Sequence, residues 1–112
     1  MDSNQRQYPR APLSGTVKFY DWNRPFQAGA EQISASGVFL RTTSELPEGS
    51  MLTMRLTIPG LVRAFTVLGR VVRTVRGSLL RAPGLGVHFV DIADIDRRSL
   101  HDYVALRERR AA

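Results

Sequence analysis

The sequence predicts an all-β domain, a small antiparallel barrel or sandwich, followed by one C-terminal helix. Three observations carry this: apolar residues alternate with polar ones through 13–20, 51–58 and 63–75, Asn/Pro/Gly-rich breaks separate the runs, and after residue 91 the spacing changes to three and four. A chain of 112 residues has the size of one compact domain and buries roughly two-thirds of the surface its unfolded form exposes. One domain is therefore expected, without an internal linker or repeat.

In chain order, residues 1–12 are polar, end in Tyr-Pro-Arg-Ala-Pro, and are expected to form a flexible arm. Leu13, Gly15, Val17 and Phe19 then share one parity and Ser14, Thr16, Lys18 and Tyr20 the other, as a half-buried strand requires. Shorter strands fit 27–33 and 38–43. Over 51–58, Leu52, Met54, Leu56 and Ile58 oppose Thr53, Arg55 and Thr57, and Pro59-Gly60 ends the run as a turn. The strand at 63–75 keeps Phe65, Val67, Val71 and Val75 in phase, with Gly69 at a midpoint where a bulge is cheap. A sixth strand fits 85–90, and breaks fall at 21–25, 44–50 and 77–84. In the helix, Leu100, Tyr103, Val104 and Arg107 recur on one stripe. Asp94 or Asp96 is expected to cap its start, and Arg107, Arg109 and Arg110 suit the negative end of its dipole.

Composition narrows the chemistry. The chain has no cysteine, which removes disulfide scaffolds, Cys-based zinc sites and thiol catalysis. The start, Met1-Asp2-Ser3-Asn4-Gln5, lacks the basic and apolar regions of a secretory signal, so a cytoplasmic location is expected. No apolar run approaches the length of a spanning helix, and the basic C-terminal helix lacks Trp or Phe anchors, so no membrane insertion is expected. His88 and His101 have no Ser, Cys or carboxylate pattern around them that makes a triad or metal site, and Asp91, Asp94 and Asp96 lack the Gly and closing Glu of a calcium loop. Neither an enzyme nor a metal or other cofactor is expected. The strong signal is charge: 16 Lys+Arg against 10 Asp+Glu give +6, and fifteen of the cations are Arg. Such a field favours an anionic partner. A coding bias yields the same count, so position decides.

Two positions stand out. Arg6 and Arg10 are separated by Gln7-Tyr8-Pro9, and the proline keeps Tyr8 out of helical geometry, so the two guanidiniums extend along an arm that spans up to about 13 Å. Guanidinium forks bond phosphate oxygens or the O6/N7 edge of guanine in pairs, and their planes stack on bases. The second position is Gln32-Ile33-Ser34-Ala35-Ser36-Gly37, a polar turn entering the strand Val38-Phe39-Leu40. There Gly37 is able to take positive φ or admit a close ligand, and Ser34 offers a donor and an acceptor.

In this order and spacing the two features resemble the PilZ domain family, whose pattern is RxxxR in an N-terminal arm followed by D/N-x-S-x-x-G. Gly86 to Phe89, Gly-Val-His-Phe, is similar to the family's last strand before its helix. The resemblance covers nearly the whole chain and implies a six-stranded antiparallel barrel with a C-terminal helix that binds the bacterial second messenger cyclic di-GMP. It further implies that Arg6 and Arg10 clasp the guanines and phosphates while Gln32, Ser34 and Gly37 form the opposing wall. Gln32 stands where the family has Asp or Asn. Loss of one charge-assisted contact costs on the order of 1.5 to 3 kcal/mol, about tenfold to a hundredfold in affinity. Gln5, where some relatives carry another Arg, favours one ligand per chain.

The leading expectation is a non-catalytic receptor in which cyclic di-GMP draws the arm onto the barrel and presents a new surface to a protein partner. Gln32 keeps a ligand-independent protein adaptor as the alternative. A third reading is a single-stranded nucleic-acid binder, because Gly15 to Tyr20 looks like the opening strand of a cold-shock barrel. That function needs a platform of closely spaced aromatics. Phe19, Tyr20, Trp22 and Phe26 cluster, but Phe39, Phe65 and Phe89 sit singly among aliphatics, as core residues do.

Overall fold

The computed structural model describes residues 11–21, 24–61 and 64–111. Its elements are β1 (Ala11–Asp21), β2 (Arg24–Ile33), β3 (Gly37–Arg41), β4 (Met51–Thr57), β5 (Phe65–Val75), β6 (Gly84–Asp91) and α1 (Asp94–Ala111). All strand pairs are antiparallel, and they close in the order β1-β2-β3-β6-β5-β4, with β4 returning to β1. Closure removes the free sheet edges and decides for a barrel over a sandwich.

Alternation places the core. In β4, Leu52, Met54 and Leu56 are 0% exposed while Met51, Thr53, Arg55 and Thr57 face solvent. Burying each such side chain stabilises the fold by about 1.5–3 kcal/mol. In β5, Phe65, Val67, Gly69 and Val71 keep the same period, and Leu40, Leu85, Val87 and Phe89 complete the interior from β3 and β6. Register brings Val17 opposite Leu56 and Phe19 opposite Met54, while Lys18 is exposed.

Several boundaries move. β1 begins at Ala11, so Ala11 and Pro12, read as the end of the arm, belong to the barrel because they pair with Ile33 and Gln32. β2 begins at Arg24 rather than 27, since its pairing with β1 continues to Asp21. β3 ends at Arg41 rather than 43. There the Thr42 hydroxyl accepts the Ser44 N–H at 3.1 Å and turns the chain. Neither aspartate occupies the N-cap position. The Ala93 carbonyl accepts the first helical bond, from Arg97, placing Ala93 at the cap. Asp94 and Asp96 lie in the first turn, where their charge favours the dipole. Arg107, placed on the apolar stripe by spacing, is exposed, and its guanidinium lies 4.6 Å from the centroid of the Tyr103 ring.

The registers gather the 34–36 turn, the 58–61 segment after β4, the start of β5 and the exit of β6 at one barrel end. α1 contributes Leu100, Tyr103 and Val104 to the same core. It spans that end from Ala35, whose carbonyl accepts Arg97 Nη1 at 3.1 Å, to Gly60, which lies beside Tyr103 and Arg107. No helix is long and apolar enough to cross a membrane among the described residues.

Gly69 is required by closeness. A Cβ there would stand 2.5 Å from Val87 Cγ1 and 2.6 Å from Met54 Cε. The neighbouring register shift between Leu68 and Gly69 places the extra residue, Val90, on β6. Gly69→Ala overpacks the core and is expected to cost about 1–3 kcal/mol, lowering the thermal midpoint by several degrees. A melting curve followed by circular dichroism checks this, and an unchanged midpoint would contradict the packing described.

Candidate functional site

A groove of about 200 Å³ opens on the outside of the barrel at the β2–β3 turn. Three of the five residues singled out from sequence, Gln32, Ser34 and Gly37, line it. The other two, Arg6 and Arg10, lie outside the described residues.

A bulge sets the position of Gln32. Between Ala30↔Leu40 and Gln32↔Phe39, β2 carries one residue more than β3, namely Glu31. Strict alternation after Ala28 and Ala30 would bury residue 32. The extra residue reverses the faces, so Gln32 is exposed and Ile33 is buried instead. Glu31 does not compensate for the missing charge at 32. Its carboxylate accepts Arg41 Nη2 at 2.7 Å and does not line the groove.

Ser34 and Gly37 serve the turn in ways the sequence reading did not foresee. Ser34 is 4% exposed. Its hydroxyl accepts the Ser36 N–H at 3.1 Å and meets the Ser36 hydroxyl at the same distance. Its N–H donates to the Gly37 carbonyl at 2.9 Å, and the Ser36 carbonyl accepts Phe89 N–H at 2.8 Å. The hydroxyl is thus engaged in shaping the turn, and Ser36, half-buried beside it, lies nearer the opening. Gly37 does not have positive φ; among the described glycines that conformation occurs at Gly49 and Gly60. Glycine is needed at 37 because a Cβ would run into the Val87 carbonyl of β6.

The floor comes from two rows across three strands. Phe39 faces Gly86, and Gly86 faces Arg73. With no side chain at 86, Arg73 reaches over the row, its guanidinium carbon 5.8 Å from the Phe39 ring centroid. Phe39, assigned to the core from sequence, is half-buried here, whereas Phe65 and Phe89 do lie inside. In the parallel row, Gly37 faces His88, which faces Arg70. His88 is exposed, as its alternation with Val87 and Phe89 suggests, and it lines the groove. A second bulge aims Arg73: Val72 is the extra residue of β5 between Val71 and Arg73, and both are exposed. Sequence reading missed Phe39, Val72 and Arg73. The signal was the Val71-Val72 pair, which breaks the alternation of β5 just before an arginine.

Chemically the groove holds a guanidinium over an aromatic ring, an imidazole, a primary amide and a hydroxyl, with no carboxylate among its described lining residues. It can stack on a planar ring and donate to anionic oxygens. No group of three or more His, Asp or Glu side chains that would hold a metal ion occurs among the described residues.

The class is that of a six-stranded antiparallel barrel domain with a polar groove outside one interstrand turn and a helix across the same end. The chain belongs to the PilZ domain family, whose sequence model matches residues 4–106. Comparison with the curated proteins gives no match. Among solved structures the chain is similar to the Bacillus subtilis inhibitor of motility MotI/DgrA, with a TM-score of 0.84 and 18% identity, over 95% of this chain and 52% of that one. It is similar to the PilZ domain of Escherichia coli YcgR, solved with c-di-GMP, with a TM-score of 0.74 and 16% identity over 96% of this chain and 94% of that one. For the K. pneumonia MrkH–c-di-GMP complex the TM-score is 0.79 and the identity 17%, over 96% and 56% of the two chains. This chain therefore spans about half the length of MotI and MrkH.

The helix holds the turn through Arg97. Replacing it by alanine, Arg97→Ala, removes the bond to the Ala35 carbonyl, at an expected cost of about 1 kcal/mol for a half-exposed guanidinium. Amide exchange should quicken at Ser34–Gly37 while β4 stays protected. Unchanged exchange in the turn would mean that its own serine bonds suffice.

Proposed function

We propose that the chain is a receptor for cyclic di-GMP, with the groove as one wall of the site and the arginine arm as the other. The observation that carries this is the pairing of Ala11 with Ile33. Arg10 is bonded to Ala11, so its Cα lies about 3.8 Å from a residue paired beside the 34–37 turn. Arg6 is within about 13 Å of extended backbone from Arg10. A groove of about 200 Å³ is smaller than the roughly 300–1,000 Å³ of a typical small-molecule site, so a second wall is needed to enclose a dinucleotide.

In this reading Arg6 and Arg10 bond the phosphates and guanine edges, Arg73 and Phe39 offer a stacking face, and Gln32 and Ser36 supply neutral hydrogen bonds. Ser34 and Gly37 hold the turn that presents them. The family membership and the c-di-GMP complexes of similar fold support the ligand class. Ligand binding orders the arm against β1 and β2 and creates a surface for a protein partner, so the output is that partner's activity rather than catalysis.

A second reading is favoured by one observation. Gln32 replaces the family's Asp or Asn, and the adjacent Glu31 is tied to Arg41. A barrel with so weakened a site suits an adaptor that binds protein without ligand.

Calorimetric titration with cyclic di-GMP at near-physiological salt separates the two. Heat with one ligand per chain is expected, and silence at high micromolar ligand would reject the receptor. Arg10→Ala should abolish binding. Gln32→Asp restores a charged acceptor and should tighten binding about tenfold to a hundredfold; weaker binding in that variant would overturn the role given to residue 32.

A further inference from the structure

At the barrel end opposite α1, the β5–β6 hairpin runs past its last strand pair, Val75↔Gly84, into Arg76-Gly77-Ser78-Leu79-Leu80-Arg81-Ala82-Pro83. Ser78 N–H donates to the Arg81 carbonyl at 2.8 Å, and the two residues form a bridge, leaving Leu79 and Leu80 as a closed two-residue tip. The leucines are 104% and 98% exposed. Turns this tight favour Gly, Asn and Asp, whose backbones take the needed conformations at low cost. A Leu-Leu tip that touches nothing in the barrel goes against local turn chemistry without a packing gain, the mark of a site selected for contact outside the molecule.

The shape and charge of the tip name the contact. It is convex, so it enters a soft apolar layer rather than receiving a side chain. The charged residues between Val75 and Gly84 are Arg76 and Arg81, one on each side of the leucines, with no acid among them. Glu45 lies below at the hairpin base, 3.9 Å from Arg76 Nε, whereas Arg81 makes no ion pair among the described residues. We infer that the 76–83 hairpin docks the protein on anionic bilayer surfaces, Leu79 and Leu80 entering the boundary between headgroups and acyl chains while the flanking arginines meet the headgroups. This is shallow peripheral contact, consistent with the lack of a helix able to span among the described residues. It uses no residue of the groove.

The test is sedimentation of the full chain with vesicles of pure phosphatidylcholine and with vesicles containing about one-third phosphatidylglycerol, which supplies the negative surface potential. The chain should pellet with the anionic vesicles and remain in solution with the neutral ones. Leu79→Ser combined with Leu80→Ser should weaken binding about a hundredfold, near tenfold for each leucine, and Arg81→Gln about fivefold. Both variants should melt at the wild-type midpoint, because neither leucine touches the core. Failure of the wild type to pellet overturns the inference. So does equal pelleting by the double-serine variant, which would assign binding to the general +6 charge, or leucine-dependent dimerisation without lipid, which would assign the tip to a second copy of this chain.

Discussion

Two strands of the barrel come too close for a side chain at Gly37, where β3 lies against the Val87 carbonyl of β6. The rest of the site is arranged around that approach. It lets Phe89 N–H bond the Ser36 carbonyl and fixes the Ser34–Gly37 turn onto β6. It also leaves His88, opposite Gly37, without a neighbour of its own size on that strand. One row away, Gly86 does the same for Arg73, whose guanidinium crosses the gap to Phe39. The groove is therefore a consequence of missing side chains in a closed sheet, with the polar groups standing along the margins of the gaps.

Bulges supply the second ingredient. A closed barrel of strict alternation would send every second side chain inward. The extra residues Glu31 and Val72 reverse the faces of Gln32 and Arg73, which then meet on the outside at one groove. The inward phase resumes at the next residue of each strand, at Ile33 on β2 and at Thr74, which faces the buried Leu85, on β5. α1 then lies across the same end, its apolar residues joining the core and Arg97 holding the Ala35 carbonyl. The turn is thus fixed by β6 on one side and by the helix on the other. A wall held on both sides in this way loses little conformational entropy on making a contact.

The β5–β6 hairpin carries both surfaces. Arg73 and Gly86 stand at its groove end and Leu79 and Leu80 at its tip. The bridge at Ser78 and Arg81 closes the tip on the same hairpin that supplies Arg73 and Gly86 to the groove.

What the linear order of residues determined was the class and its punctuation. Alternation in 13–20, 51–58 and 63–75 located three strands, the 3.6-residue period located the helix, and the Gln32–Gly37 run marked the turn that lines the groove. These are local signals, set by side-chain direction within one element. Tertiary structure alone decided that the sheet closes, that Ser34 is buried in the turn, that Gly37 answers to β6 rather than to a positive φ, that Ala93 caps the helix, and that Phe39 leaves the core to meet Arg73. Each of these depends on which residue of one strand or turn lies against which residue of another. A single inserted residue changes that match and reverses every face beyond it, and the sequence of one strand carries no mark of its partner's register.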